Sequence, residues 1–329
     1  MEKSLLENKK AKVFCYSGTG NSLVSAKMIA DELDANVIFI TEELSESCQH
    51  IEAEVCVIVF PVYAYAMPKT MKRWIKNSSF SVEYMAVIGT IGSKHGGALS
   101  EAIRLLKRRK CKTHYTMGLK CVENFVHMFK LPNEEKIKAL CENQKKLTSK
   151  IIEDIKEKRQ NSRCLLRPES FFVSFVYRRA ARLIASRYKV LNSCNGCGIC
   201  YRVCPPKAIS IENDAAKIHS KKCDGCQGCM QLCPQKAIKF ARIHPESKHF
   251  YKHPDITVAD LFKRETVTIA DEENLETDKT IENGLVTPNF TFETEHSPTH
   301  STLSEETKTL RKSMFNAVIE MRSQEVDEE

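Results

Sequence analysis

The chain has 329 residues, 42% of them hydrophobic and 28% charged, enough apolar material for folded cores and too much charge for a membrane-embedded protein. The opening stretch MEKSLLENKKAK lacks an apolar leader core. No later apolar run approaches the roughly 18 residues of a spanning helix, so a cytoplasmic protein without a membrane span is expected. Fifteen cysteines, an odd number, fit reduced thiols used for metal or redox chemistry better than an extracellular disulfide framework.

Net charge is +8 but divides into +13 over residues 1–190, +6 over 191–254 and −11 over 255–329. Length and charge together predict two domains and an acidic tail. The expected boundaries are 11–160 for the first domain, 161–190 for a basic helical linker, 191–254 for the second domain and 255–329 for the tail.

The first domain alternates short apolar runs with helical periodicity, as a parallel α/β sheet does. Strands are predicted at Val13 to Tyr16, Val37 to Ile40, Val55 to Phe60, Met85 to Thr90 and Thr113 to Gly118. Helices are predicted at Leu23 to Leu33, Lys69 to Lys76, Ala98 to Arg109 and Glu134 to Lys158. Directly after the first strand comes Ser17-Gly18-Thr19-Gly20-Asn21-Ser22. Hydroxyls and small residues between a strand and a helix form a nest of N–H donors, to which the helix N-terminus adds its positive end. A phosphate monoester suits that loop. A P-loop would need a lysine after Gly20, and a dinucleotide fingerprint would need glycine where Leu23 stands.

Two later loops belong to the same end of such a sheet. The third strand runs into Pro61, Val62, Tyr63, Ala64 and Tyr65, where an aromatic face can stack on a flat ring. The fourth is followed by Thr90, Gly92, Lys94, His95, Gly96 and Gly97, whose glycines suit close backbone approach and whose Lys94 or His95 can supply positive charge. The hydroxyl-rich loop resembles the flavodoxin pattern [ST]-x-T-G-x-[ST]. That resemblance implies a doubly wound flavodoxin-like parallel sheet, with FMN held through its phosphate by Ser17 to Ser22 and flanked by the loops after strands three and four. Asn124-Phe125 is similar to the Asn-aromatic pair that such proteins carry after the fifth strand.

Phe171 to Val190 is rich in arginine and apolar residues and reads as a linker helix packing on one of its neighbours. Beyond it two segments 29 residues apart repeat each other: CNGCGICYRVCPPKAI, with Cys194, Cys197, Cys200 and Cys204, and CDGCQGCMQLCPQKAI, with Cys223, Cys226, Cys229 and Cys233. Each is C-x2-C-x2-C-x3-C-P. Three thiolates at that spacing wrap one corner of an iron–sulfur cube, and the fourth, before proline, reaches the neighbouring cluster. The expected ligand sets are therefore Cys194, Cys197, Cys200 and Cys233 for one [4Fe–4S] cluster, and Cys223, Cys226, Cys229 and Cys204 for the other. Structural zinc favours separated C-x2-C pairs instead. The segment resembles a bacterial-type two-cluster ferredoxin domain, a small α+β unit, and the chain as a whole resembles flavodoxin–ferredoxin fusions. The remaining seven cysteines show no metal spacing and read as core filler.

The tail, rich in Glu, Ser and Thr, has the composition of a largely disordered segment, with helical periodicity only over 304–322. FMN and two clusters in one chain imply an electron-transfer protein serving a redox protein partner. A flavin-dependent reductase of a quinone or nitro compound and a redox sensor acting through the tail are the alternatives. Catalytic residues are not predicted. The basic body points to a partner with an acidic docking face. No aromatic-basic platform accompanies the charge, so nucleic acid is not expected.

Overall fold

The computed structural model describes residues 10–92, 96–127, 129–161, 185–240 and 250–262. Most of the predicted linker, the tail helix at 304–322, and Lys94 and His95 lie outside the described residues.

Five strands, β1 (Ala11–Cys15), β2 (Val37–Phe39), β3 (His50–Pro61), β4 (Ser79–Ile91) and β5 (Tyr115–Lys120), form one sheet in the order β2-β1-β3-β4-β5. Every pairing is parallel, with Val13 beside Val37 and Val57, Val57 beside Ala86, and Ala86 beside Tyr115. This is the flavodoxin-like order, and it opens a crevice between β1 and β3, where the order in which strands are added reverses. The central strands are buried on both faces, so they read as continuous runs such as VIVF rather than as alternation. β3 and β4 start earlier than their apolar runs. Residues 50–54 of β3 alternate exposed and buried, a half-covered extension that a search for continuous apolar runs passes over.

Helices α1 (Asn21–Glu32) and α5 (Glu134–Lys156) cover one face, over a core of Val13, Ile29, Val57, Ile88, Tyr115 and Ile151. The helices α2 (Glu42–Glu46), α3 (Lys69–Asn77) and α4 (Ala98–Arg108) cover the other, over Phe14, Ile58, Phe60, Met71, Trp74 and Leu106. α2 was not predicted because TEELSE carries no apolar period. It is made instead by polar bonds: Thr41 Oγ1 accepts from the Leu44 N–H at 3.3 Å, and Arg73 donates to both oxygens of Glu42 at 2.9 and 3.1 Å.

The cysteine-rich half is built from β6 (Tyr188–Val190), α6 (Ile199–Arg202), β7 (Ile209–Glu212), β8 (Ala215–Ile218), α7 (Gly228–Gln231) and β9 (Ile238–Phe240). β6 pairs antiparallel with β9, and β7 with β8. The β7–β8 turn puts Asn213 and Asp214 at φ 48° and 56°, the conformation that a two-residue hairpin demands and that Asn and Asp tolerate.

This half sits on the sheet rather than apart from it. Val203 and Leu232 join the core beneath α1 and α5, and so do Ile256 and Leu261. Residues 255–262 thus pack on the body, although their composition groups them with the tail. Ile256 and Leu261 are buried there, Val258 and Phe262 pack against the same core, and Asp260 pairs with Lys27 at 2.5 Å. Among the described residues no helix is long and apolar enough to cross a membrane.

Candidate redox site

The eight motif cysteines gather into two groups. A cavity of about 320 Å³, its open mouth included, is lined by Cys194, Cys197 and Cys200 of the first motif together with Cys233 of the second. The Cys200 thiol is pushed up to about 11, first by burial and then by charge from Cys233, Cys197 and Cys194. Cys229 is raised well above the ordinary thiol range by burial and by charge from Cys226, Cys223, Cys204 and Cys200. Burial and the charge of Cys226 raise Cys204 in the same way. The cavity thus brings the fourth cysteine of the second motif to the first three of the first, and Cys204 feels charge from Cys226 and Cys223 of the second motif.

Local backbone geometry turns the thiols inward. Each motif loop passes through left-handed residues, Gly196 and Gly198 in the first, Gly225 and Gln227 in the second. A Cβ on Gly196 would come within 2.8 Å of the Asp214 carbonyl, so that close approach needs glycine. Amide hydrogens then point at sulfur: Ala208 N–H at Cys204 Sγ, Gly225 N–H at Cys223 Sγ and Ala237 N–H at Cys233 Sγ, each at 3.3 Å. Such donors stabilise negative sulfur and are among the devices that set a cluster's potential. Four thiols converging on one cavity are a donor set whose deprotonated form a metal cluster would neutralise. Sulfur donors at this spacing fit [4Fe–4S] clusters.

The other predicted residues meet at the C-terminal edge of the sheet. Ser17, Thr19 and Ser22 are buried in the loop between β1 and α1. Ser17 Oγ accepts from the Gly20 N–H at 3.2 Å, and Gly20, at φ 109°, turns the chain into α1. Ser22 Oγ and Thr90 Oγ1 share a hydrogen at 2.7 Å, tying this loop to the end of β4. Asn21 donates to the Val122 carbonyl at 3.0 Å, and Asn124 donates to Thr19 Oγ1. Pro61 ends β3 beside Thr90, and the Val62 N–H donates to the Thr90 carbonyl at 2.9 Å.

Tyr63 and Ala66 exchange backbone bonds of 2.9 and 3.0 Å around Ala64 and Tyr65, whose φ values are 45° and 64°. Two non-glycine residues in the left-handed region are strained, and strain of this kind concentrates at functional loops. The turn holds Tyr65 over Gly96, which is itself at φ 51° and has no room for a Cβ against that ring. Gly92 is packed as tightly by Glu123, and Gly97 caps α4. The described parts of the predicted loops are brought together.

The two groups of residues also meet each other. A Cβ on Gly18 would lie 3.0 Å from Cys226 Cβ and 3.2 Å from both the Cys226 carbonyl and the Tyr63 hydroxyl. A Cβ on Gly228 would lie 2.9 Å from the Gly18 carbonyl. Between Cys223 and Cys226, Asp224 is buried and accepts from the Tyr16 hydroxyl at 2.9 Å and the Thr70 N–H at 3.1 Å. Burial raises the Asp224 carboxyl, and those two donors hold it down in part. Lys69 adds a bond to the Cys223 carbonyl at 3.2 Å.

Sequence reasoning missed Tyr16, Thr70, Asp224 and His253. The first three look like a strand end, a helix start and a motif spacer. His253 follows the second motif at no recognisable spacing. It lies against Gly20, is fully buried, and its Nε2 has no hydrogen-bond partner among the described residues. A buried ring nitrogen left unbonded beside a hydroxyl-rich turn at a helix N-terminus fits a bound phosphate, and with it the FMN expected there.

Residues 187–239 match the family model of the 4Fe-4S dicluster domain. No curated protein matches the chain. Among solved structures, a flavodoxin from Streptococcus pneumoniae TIGR4 is similar at 18% identity, covering 43% of this chain and 98% of that one, with a TM-score of 0.27. A flavodoxin from the domain Archaea is similar at 19% identity, covering 45% and 99%, with a TM-score of 0.27. A flavoprotein from Bacteroides uniformis ATCC 8492 is similar at 18% identity, covering 35% and 92%, with a TM-score of 0.30. The strand order, rather than these distant likenesses, defines the first half. The chain joins a flavodoxin-like sheet to a 4Fe-4S dicluster domain at 187–239, the architecture of a redox protein that carries electrons.

Proposed function

We propose that this chain relays electrons between FMN and two [4Fe–4S] clusters to a redox protein partner. The observation that carries this reading is the packing of Cys226 on Gly18, which sets a cluster ligand in contact with the loop expected to hold the flavin phosphate. When bound, FMN exchanges one or two electrons and each cluster one. In this reading Cys194, Cys197, Cys200 and Cys233 hold one cluster, and Cys223, Cys226, Cys229 and Cys204 the other. Ser17 to Ser22 hold the FMN phosphate, while Pro61, Val62, Tyr63, Tyr65, Thr90, Gly92, Gly96 and Gly97 flank the ring.

In this reading the two ligand sets have different tasks. The second-motif loop is half-buried, with Cys226 packed on Gly18 and the buried Asp224 bonded to Tyr16 and Thr70. Cys197 is exposed, as are Tyr201 and Ile211, so the first set reaches the surface at Cys197. That face is where a partner docks. The +19 carried by residues 1–254 outweighs the roughly −6 contributed by two oxidised clusters and FMN. An acidic partner surface in the cytoplasm fits that balance.

The test is anaerobic reduction of the full chain, followed by mixing with one-electron protein acceptors at rising ionic strength and with quinones and nitro compounds. Transfer to an acidic protein that slows as salt rises supports the reading. Sustained turnover of a small acceptor, with salt-independent transfer to proteins, replaces it with the reductase alternative.

A further inference from the structure

His253 lies beyond the dicluster domain, yet its backbone and Cβ both pack on the loop between β1 and α1. Its N–H donates to the Thr19 carbonyl at 2.9 Å. A Cβ on Gly20 would come within 2.8 Å of His253 Cβ, so this glycine gives the histidine its place. The segment is strapped across α1 on both sides. The Tyr251 hydroxyl donates to Asn21 Oδ1 at 2.7 Å, and its N–H donates to Gln231 Oε1 at 3.0 Å. Lys145 pairs with Asp255 at 2.7 Å, and Lys27 with Asp260 at 2.5 Å.

The ring's protonation follows from its neighbours. The Asp255 N–H donates to His253 Nδ1 at 3.2 Å, which occupies that lone pair and places the ring hydrogen on Nε2. Burial holds the ring neutral, opposed by Asp255 and reinforced by the charges of Lys145 and Lys252. Nε2–H is then a buried donor without an acceptor among the described residues. The turn beside it offers more donors, in the hydroxyls of Ser17, Thr19 and Ser22 and the first amides of α1. An anion with several oxygens suits the unsatisfied Nε2–H and the first amides of α1 together.

We infer that the His253 Nε2–H binds the phosphate of FMN, making residues 250–262 a latch that closes the phosphate site from the dicluster side. This rests on the flavin reading above. A neutral imidazole suits the position, since it donates without the desolvation cost of a buried cation. It also makes flavin binding depend on chain beyond the flavodoxin-like half, which coupling through Thr19 and Gly20 would transmit.

The experiment uses the full chain with its clusters, freed of flavin, and measures the affinities of FMN and of riboflavin, which lacks the phosphate, by quenching of flavin fluorescence. His253→Ala is expected to weaken FMN by about tenfold or more and to leave riboflavin within about twofold. His253→Gln, which keeps a donor, should recover part of the loss. Inorganic phosphate should compete with FMN better in the wild type than in His253→Ala. Equal loss of both flavins, or unchanged FMN affinity in both variants, overturns the inference and leaves the flavin reading standing. A wild-type chain that binds neither flavin overturns the flavin reading and the inference together.

Discussion

Cys226 and Gly18 are in contact across the junction of the two halves, so close that a Cβ on the glycine would stand 3.0 Å from that of the cysteine. One belongs to an iron–sulfur motif and the other to a phosphate-type loop, 208 positions apart in sequence. Gly18→Ala should force the motif away from the loop, because Cys226 backbone and not only a flexible side-chain end opposes the new methyl. The expected cost is about 1–3 kcal/mol of stability, read as a lower unfolding midpoint together with faster loss of iron in air.

Crossed ligation gives a sharper outcome. Cys233→Ser should abolish the same spectroscopic cluster signal as Cys194→Ser, although 39 positions separate them, and should spare the signal lost in Cys223→Ser. Electron paramagnetic resonance of the reduced variants distinguishes the pairs. A Cys233→Ser spectrum that matches Cys223→Ser instead would show each motif closing on itself.

The hydrogen bond from Tyr16 to Asp224 can be removed without changing shape. Tyr16→Phe leaves the buried carboxylate with Thr70 as its remaining named donor, and should destabilise the chain by about 1–3 kcal/mol in chemical unfolding. Asp224→Asn in the Tyr16→Phe background should recover part of that loss, since the neutral amide is cheaper to bury than the charge.

Tyr65 and Gly96 form a second steric lock. Gly96→Ala combines a left-handed backbone with a clash against the Tyr65 ring, and should cost about 1–3 kcal/mol. Replacing Tyr65 by Gly in the same chain, which takes away the Cβ as well as the ring, should remove the clash but not the backbone strain at position 96. The double variant is therefore expected to be more stable than the sum of the single effects.

Acid should loosen the 250–262 latch through His253, whose ionisation is pushed down from the ordinary 6.5 to about 4 by burial. Between those values the unfolded chain binds more protons than the folded one, so stability rises with pH across the window and falls as pH drops through it. In flavin-free protein the unfolding midpoint should decline from pH 7 to 5.5 by more in the wild type than in His253→Gln. Parallel curves would remove His253 as the titrating group.

Much of this was legible in the letters. The apolar runs located all five strands, and the C-x2-C-x2-C-x3-C-P repeat marked eight thiols that the fold gathers. What stayed hidden depends on tertiary contact. α2 is made by the Thr41 cap and the Arg73–Glu42 pair, neither of which has a period. Residues 255–262 share the composition of the acidic tail, yet Ile256 and Leu261 are buried in the sheet's own core. His253 carries no motif at all, and its meaning comes from Gly20 and Asp255 beside it.

The most direct test of the account is iron, sulfide and flavin analysis of the full chain purified without oxygen. The prediction is about eight iron, about eight sulfide and about one FMN per chain, with Cys226→Ser losing close to half the iron. Stoichiometric zinc in place of iron, or a full complement of iron that never binds flavin, would contradict it.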